Sequence, residues 1–369
     1  MKVYFEIGPL KEREYTGIAQ VTAALSQEIL GDAELDSEFF FGRMIVPKPV
    51  VEGLLRTRNG DLLEWYLRRG PALPAPTDPS LSAIAVFPNR KTARRAFTKE
   101  CQIIHDLSTL LTPQFHNRDT IEFHATSLEH DILSNDATLC VSDATRSDVL
   151  AYFPNVDAST VHTMPLAASI VSESEAFCGQ KHAEPYVLVL GTIEPRKNAS
   201  QVLDHIQTHP EFSKSYRTVF LGRFGWGTTI EQLVTRFKLD EEYSTGRIVF
   251  GGFVAEHVKN RLIRNAKLVV YPSLFEGFGL PVLEAAALGV PCVTTRSSSL
   301  PEVGGSYSYY FDPFTVGDFS RALIEALKDL DERPEIVRRR CLEWSKGFSW
   351  PKTYAIMKDR LLGLTSEKG

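Results

Sequence analysis

Two carboxylates and two cations stand out in this chain by their spacing. Glu276 and Glu284 have seven residues between them in the stretch EGFGLPVLEAAALGVP, and Arg196 and Lys197 are adjacent in GTIEPRKN. Adjacent cations suit an anionic ligand, since lysine offers a compact charge and arginine a planar fork. Both make charge-assisted hydrogen bonds to phosphate oxygens. An ionised carboxylate only accepts hydrogen bonds, so it suits a ligand rich in hydroxyls. Glu284 is the candidate for a diol such as a ribose, and Glu276 can do the same for a sugar.

The surrounding pattern says how these groups are held. Residues 268–271 form a short apolar run that predicts a buried strand. A loop over 275–280 follows, where Gly277 and Gly279 let the backbone approach a ligand closely. Pro281 suits a helix start and Gly289 its stop, so 281–288 is expected to be helical, with the next strand over 290–294. This order is one turn of a doubly wound α/β domain, in which ligands bind at the carboxyl ends of the strands. The first turn of that helix, entered from Gly277, Phe278, Gly279 and Leu280, is expected to offer amides and a positive dipole end to an anion. Arg196 and Lys197 likewise follow a strand (185–190) and precede a helix beginning at Ala199. Cations at a helix start are unfavourable unless an anion is present, which favours a phosphate-binding role over a solvated pair.

The Glu276 and Glu284 spacing in this setting resembles the signature of the retaining glycosyltransferases of family four. GTIEPRKN resembles that family's donor-diphosphate motif, in which the lysine is the key contact. His105-Asp106-Leu107 resembles a short motif whose histidine lies beside the donor sugar, and VSDATRSDVLAYFP (141–154) is also similar to the family. Gly17 is what this chain keeps of a glycine-rich loop that faces the donor phosphates and the acceptor; a plain helix entry fits it as well. The loop over 222–227 resembles a glycine-bearing loop near the nucleotide, which makes Arg223 a second-rank phosphate candidate.

The resemblance covers most of the chain and is strongest over 186–302. It implies an α/β protein of GT-B architecture, with two doubly wound Rossmann-like domains facing a central cleft. It also implies hexose transfer from a nucleotide-diphosphate sugar with retention of configuration. The EPRKN context suggests a mannosyl- or related hexosyltransferase of surface-polysaccharide assembly. The implied catalytic residues are Lys197, Arg196, Glu276 and His105. The implied donor contacts are Glu284, Gly277, Phe278, Gly279, Leu280, Gly17 and Arg223. The cations and loop amides would stabilise the leaving diphosphate, so neither a metal nor another cofactor is expected. No carboxylate of the first domain suggests itself as a nucleophile, and a front-face route is the family expectation. The partners are a nucleotide-sugar donor and a glycan or lipid-linked glycan acceptor. Rival readings are a sugar phosphorylase, a sugar-nucleotide epimerase, or a catalytically silent sugar-nucleotide-binding subunit.

At 369 residues the chain is long enough for two domains. The expected division is 1–168 and 185–348, joined by a linker over 169–184, with a C-terminal helix over 349–369 returning to the first domain. The formal net charge of −5 argues against a nucleic-acid binder. No apolar run approaches the roughly 20 residues that span a bilayer, and no signal-peptide core opens the chain. Five widely spaced cysteines make neither a disulfide framework nor a metal knuckle, which fits a reducing cytoplasm. One strand is expected within 36–46, one helix over 50–69 and a proline-rich loop over 70–80. Lys91, Arg94 and Arg95, part of a basic run with Arg90 and Lys99, are expected to share a helical face. That face is either simply solvated or meets anionic head groups at the cytoplasmic face of the membrane, or a diphosphate-bearing acceptor. Asp329-Leu330-Asp331 falls at a helix end and is read as solvated surface, not as a metal site.

Overall fold

The computed structural model describes residues 2–12, 15, 17–67, 83–92, 94–170, 184–225 and 229–366. The proline-rich stretch over 70–80 and nearly all of the expected linker lie outside the described residues. The chain forms two compact units, Met1–Ala167 with Phe348–Gly369, and Ala168–Gly347.

The first unit runs β1 (Lys2–Glu6), α1 (Gly17–Gly31), β2 (Ser37–Phe41), β3 (Met44–Val46), α2 (Lys48–Thr57), α3 (Asp61–Leu67), β4 (Ala83–Phe87), β5 (Lys99–Ile104), α4 (Ser108–Leu111), α5 (Arg118–Leu133), β6 (Ala137–Cys140), α6 (Asp143–Tyr152) and β7 (Val161–Thr163). Its sheet has the order β3-β2-β1-β4-β5-β6-β7. All pairs are parallel except β2 with β3. The central strands are covered on both faces, so they read as continuous apolar runs such as AIAVF. The chain winds outward from β1 in one direction and from β4 in the other. The carboxyl ends of β1 and β4 therefore flank the point where strand order reverses.

Three local expectations are corrected here. The stretch 36–46 holds a hairpin, not one strand: Phe41 pairs with Met44 across a turn where Gly42 has φ +58. The helix expected over 50–69 is broken because Arg58 adopts a left-handed conformation (φ 49) that ends α2, its amide bonding to the Leu54 carbonyl. The basic run is not a helical face. Arg95 has φ 50, Lys91 is buried with Nζ 2.7 Å from Glu100 Oε2, and Arg94 Nε sits 2.5 Å from Asp131 Oδ1. Glu100 and Asp131 are buried carboxylates that need counter-ions, and this need outweighs helical periodicity.

The second unit runs β8 (Tyr186–Leu190), α7 (Ala199–Thr208), α8 (Pro210–Ser215), β9 (Arg217–Leu221), α9 (Ile230–Arg236), α10 (Asp240–Ser244), β10 (Ile248–Phe250), α11 (Glu256–Asn265), β11 (Leu268–Tyr271), α12 (Leu280–Ala287), β12 (Cys292–Thr295), α13 (Leu300–Gly304), β13 (Tyr309–Phe311), α14 (Asp318–Glu332) and α15 (Pro334–Ser345). Its sheet is wholly parallel with the order β10-β9-β8-β11-β12-β13. Val187 and Val189 of β8 and Leu268 and Val270 of β11 meet Val202, Leu203 and Ile206 of α7 and Phe319 of α14 in one core. Strand order reverses between β8 and β11. Asp329 lies beside Tyr309 and Arg333, and Asp331 beside Lys267, at the surface.

The last helix, α16 (Trp350–Ser366), belongs to the first unit. Thr353 Oγ1 donates to the Pro165 carbonyl at 2.7 Å, and Tyr354 Oη donates to Asp32 Oδ2 at 2.7 Å. Lys358 Nζ lies 2.6 Å from the same Asp32 oxygen. Hydrogen bonds from Lys358 and Tyr354 hold the Asp32 carboxyl down at about 2. Among the described residues no helix is long and apolar enough to cross a membrane.

Candidate active site

In the second unit both sequence motifs fall in the two loops that flank the reversal of strand order, where such sheets bind ligands. Arg196 and Lys197 follow β8, and Glu276 follows β11. After β8 the chain turns at Gly191 (φ 123), where a Cβ would come within 3.4 Å of the Lys197 side chain. The loop is then zipped to the one after β9 by bonds from the Ile193 amide to the Arg223 carbonyl and from the Gly225 amide to the Ile193 carbonyl. The cations sit in a 3-10 turn, Pro195–Lys197, which Asn198 closes at φ 52 before α7 begins.

The second loop is braced from below. Ser299 Oγ lies 2.9 Å from the carbonyls of both Glu276 and Phe278, and the Glu276 amide donates to Ser298 Oγ at 2.8 Å. Arg196 ties the two loops together, donating from Nη1 to the Phe275 carbonyl at 2.7 Å while its own carbonyl accepts from the Leu274 amide. Gly279 starts α12 at φ 101, a conformation open to glycine, and a Cβ there would lie 2.7 Å from Leu300 Cδ2.

The loops converge on one atom, Glu276 Oε1. Lys197 Nζ donates to it, Tyr271 Oη donates at 2.8 Å, Ser273 Oγ donates at 2.5 Å, and Arg196 Nη1 lies 3.4 Å away. Glu276 Oε2 takes none of these bonds. Lys197 Nζ also donates to Tyr271 Oη at 2.7 Å. Burial alone would push the Glu276 carboxyl up, but Lys197 and Arg196 hold it at about 2. Burial lowers the Lys197 ammonium from its ordinary range, opposed by Glu276. The site is thus an ionised carboxylate clamped between two cations. Within the protein these cations already meet anions: Glu276 supplies one, and Glu194 Oε1 lies 3.1 Å from Arg196 Nη2.

Glu284 is in the second turn of α12, apart from this network. It is buried, with Oε1 2.9 Å from Lys259 Nζ of α11, and Oε2 has no hydrogen-bond partner. Arg223 lies on the exposed loop after β9, its guanidinium 4.9 Å from the centre of the Phe253 ring. Phe278 is buried and Leu280 half-buried at the start of α12.

In the first unit His105 directly follows β5, one strand away from the reversal point of that sheet. Its Nε2 lies 2.7 Å from the Pro88 carbonyl. A carbonyl only accepts, so Nε2 carries the proton. Burial lowers the ring's pKa. A neutral ring with Nε2–H leaves Nδ1 as an acceptor, able to take a bond from a hydroxyl. Asp106 accepts from Ser108 Oγ and its amide. Gly17 is exposed at the start of α1, and a Cβ there would meet nothing within 4 Å. The fold itself therefore does not require glycine at that position.

Sequence reasoning did not single out Tyr271, Ser273, Ser298, Ser299 or Lys259. Tyr271 could have been noticed as a polar tip on an otherwise apolar strand, LVVY, and Lys259 by its three-residue spacing from Glu256. It also passed over Glu6, a buried carboxyl at the end of β1. Its Oε1 accepts from the Gly8 amide at 2.9 Å, and burial pushes it up to about 8 against the pull of Arg90.

The chain is similar to known proteins along most of its length. Residues 172–340 match the family of glycosyl transferases group 1. The chain is 32% identical over 376 residues to O-antigen chain mannosyltransferase B of Escherichia coli, covering 95% of this chain and 96% of that one. The fold is shared with sucrose-phosphate synthase from Thermosynechococcus elongatus, at TM-score 0.67 and 15% identity over the whole of both chains. It is also shared with Anabaena HepE, solved with UDP and glucose, at TM-score 0.69 and 14% identity over 98% of this chain and 100% of that one. The fold class is therefore GT-B, α/β with two Rossmann-like sheets, the second wholly parallel and the first parallel apart from β3. On the strength of the relationship along nearly its entire length, the chain belongs to the group 1 glycosyl transferases and is a glycosyltransferase.

Proposed function

We propose that this glycosyltransferase is a retaining enzyme of family four that moves mannose from a nucleotide-diphosphate mannose to a glycan or lipid-linked glycan in surface-polysaccharide assembly. The observation that carries the reading is the meeting of Arg196, Lys197 and Glu276 at the reversal point of the second sheet. The similarity to an O-antigen mannosyltransferase supports mannose as the sugar.

An incoming diphosphate takes the charge of Lys197 and Arg196 and the amides that begin α12. Negative charge on the diphosphate grows as the bond to the sugar breaks, so these fixed groups bind the transition state more strongly than the ground state. The same groups make a metal unnecessary for charge stabilisation. Glu276 Oε2 and His105 Nδ1 are acceptors for sugar hydroxyls, and Glu284 Oε2 is one for the ribose. In the front-face route the acceptor oxygen bonds to the anomeric carbon as the carbon–oxygen bond to the diphosphate breaks. The acceptor proton passes to the departing diphosphate, so no protein nucleophile is required. The enzyme would work in the cytoplasm, at the membrane face where lipid-linked acceptors are built. Of the basic run, Arg90 and Arg95 are exposed and could meet head groups there.

The test is a panel of nucleotide-diphosphate sugars with mannose-terminated and lipid-linked acceptors, in excess EDTA, with the product anomer read by NMR. Mannose transfer with retained configuration is expected. Inversion, preference for another sugar, or loss of turnover that manganese or magnesium restores would each overturn that part of the reading.

A further inference from the structure

The ribose-binding role given to Glu284 raises a physical difficulty. Its carboxyl is almost completely buried, at 2% exposure, and burying a carboxylate is costly unless a counter-charge accompanies it. Burial raises its pKa, and a neutral carboxyl would be a poorer acceptor for a diol. The structure places one cation to solve this. Lys259 Nζ lies 2.9 Å from Glu284 Oε1 and 2.9 Å from Glu256 Oε1. Glu256 and Lys259 are three residues apart on α11, while Glu284 reaches them from α12. Lys259 is itself only 20% exposed. The ammonium uses Oε1 and leaves Oε2 buried and without a hydrogen-bond partner.

We propose that Lys259 is a positioning residue for the donor nucleotide: it keeps Glu284 ionised and occupies Oε1, which leaves Oε2 as the acceptor for the ribose hydroxyls. This rests on the proposed role of Glu284. Lys259 acts through Glu284 and need not touch the donor. Its two carboxylate partners make a triad with one excess negative charge, so removing the ammonium leaves the buried Glu284 without a counter-charge beside the half-buried Glu256. Glu284 then holds its proton to higher pH than in the wild type.

The charged groups that act on Glu284 are Lys259 and Glu256 of α11. From β11, Tyr271 feels the Glu284 charge, but burial holds its phenol well above the ordinary range, so it stays neutral. From β12 and α15, Cys292 and Cys341 are buried thiols with raised pKa values, also neutral. Arg338 of α15 lies against Gly289, beyond the end of α12. In α13, Glu302 is exposed. None of these can replace Lys259 as the counter-charge beside Oε1.

The experiment measures nucleoside diphosphate affinity by calorimetry between pH 6 and pH 9 in the full chain, with the diphosphates of uridine, guanosine and adenosine as probes. Wild type should bind its preferred nucleotide with little pH dependence attributable to Glu284. Lys259→Met should bind on the order of tenfold or more weakly than wild type at the acid end of this range, with the deficit shrinking as the pH rises and Glu284 ionises. Lys259→Arg should restore most of the affinity. Combining Lys259→Met with Glu284→Gln should bind no more weakly than Glu284→Gln alone, because the lysine acts only through that carboxylate. Thermal melts of each variant show whether the second unit stays folded. Full affinity in folded Lys259→Met, or losses that add in the double variant, would overturn the proposal. Glu284→Gln binding as well as wild type would instead overturn the ribose role of Glu284 on which it rests.

Discussion

Lys197→Ala removes the charge at the centre of the active-site network, and the structure sets the size of two separate effects. The first is on folding. Lys197 and Glu276 side chains are 14% and 10% exposed, so the pair is largely desolvated. Breaking a buried pair by removing one partner costs about 3–5 kcal/mol. Arg196 remains 3.4 Å from Glu276 Oε1, and Tyr271 and Ser273 still donate to it, so the low end, about 3 kcal/mol, applies. For a unit of this size that lowers the melting temperature by about 6–12 °C. The second effect is on the reaction. Loss of one stabiliser of developing charge should reduce turnover on the order of 10²–10³-fold. The assay is kcat at saturating donor, well below the variant's melting temperature, with nucleoside diphosphate affinity measured alongside. A folded variant whose kcat stays within about threefold of wild type and whose nucleotide affinity is unchanged would show that the lysine only neutralises Glu276. The same result would remove the main support for the proposed donor site.

Other perturbations separate the remaining parts. His105→Ala should leave bare nucleoside diphosphate binding nearly intact while reducing sugar transfer, and calorimetry with nucleotide and with nucleotide-sugar distinguishes the two; equal loss of both would place the ring on the phosphates instead. Gly279→Ala should destabilise the chain by about 1–3 kcal/mol, since alanine at φ 101 is strained and its Cβ would meet Leu300 at 2.7 Å. Urea unfolding would read that loss, and an unchanged midpoint would refute it. Glu6 gives a pH signature. Its folded carboxyl titrates near 8, above the ordinary 4.5, so the stability it contributes is full below 4.5 and is lost as pH rises toward 8, with a ceiling of about 5 kcal/mol. Glu6→Gln should therefore flatten the fall in stability between pH 5 and 8, and a variant with the wild-type slope would rule the assignment out.

The sequence by itself determined the α/β class, the positions of most strands and helices, and the two loops that carry the site. These are local or periodic properties. Buried parallel strands such as YVLVL and LVVY read as apolar runs, and Gly279 with Pro281 marks a helix start. The Glu276 and Glu284 pair was legible because it sits in one short stretch. What the tertiary structure decided was who meets whom. Whether Arg196 and Lys197 reach Glu276 depends on β8 and β11 being neighbours at the reversal of strand order. No local pattern encodes that adjacency, since nearly eighty residues separate the groups. The same reason hid Lys259 behind Glu284. It also made the basic run around Lys91 misleading: periodicity describes one segment, while a buried carboxylate such as Glu100 can recruit its counter-ion from another and bend the chain to do so.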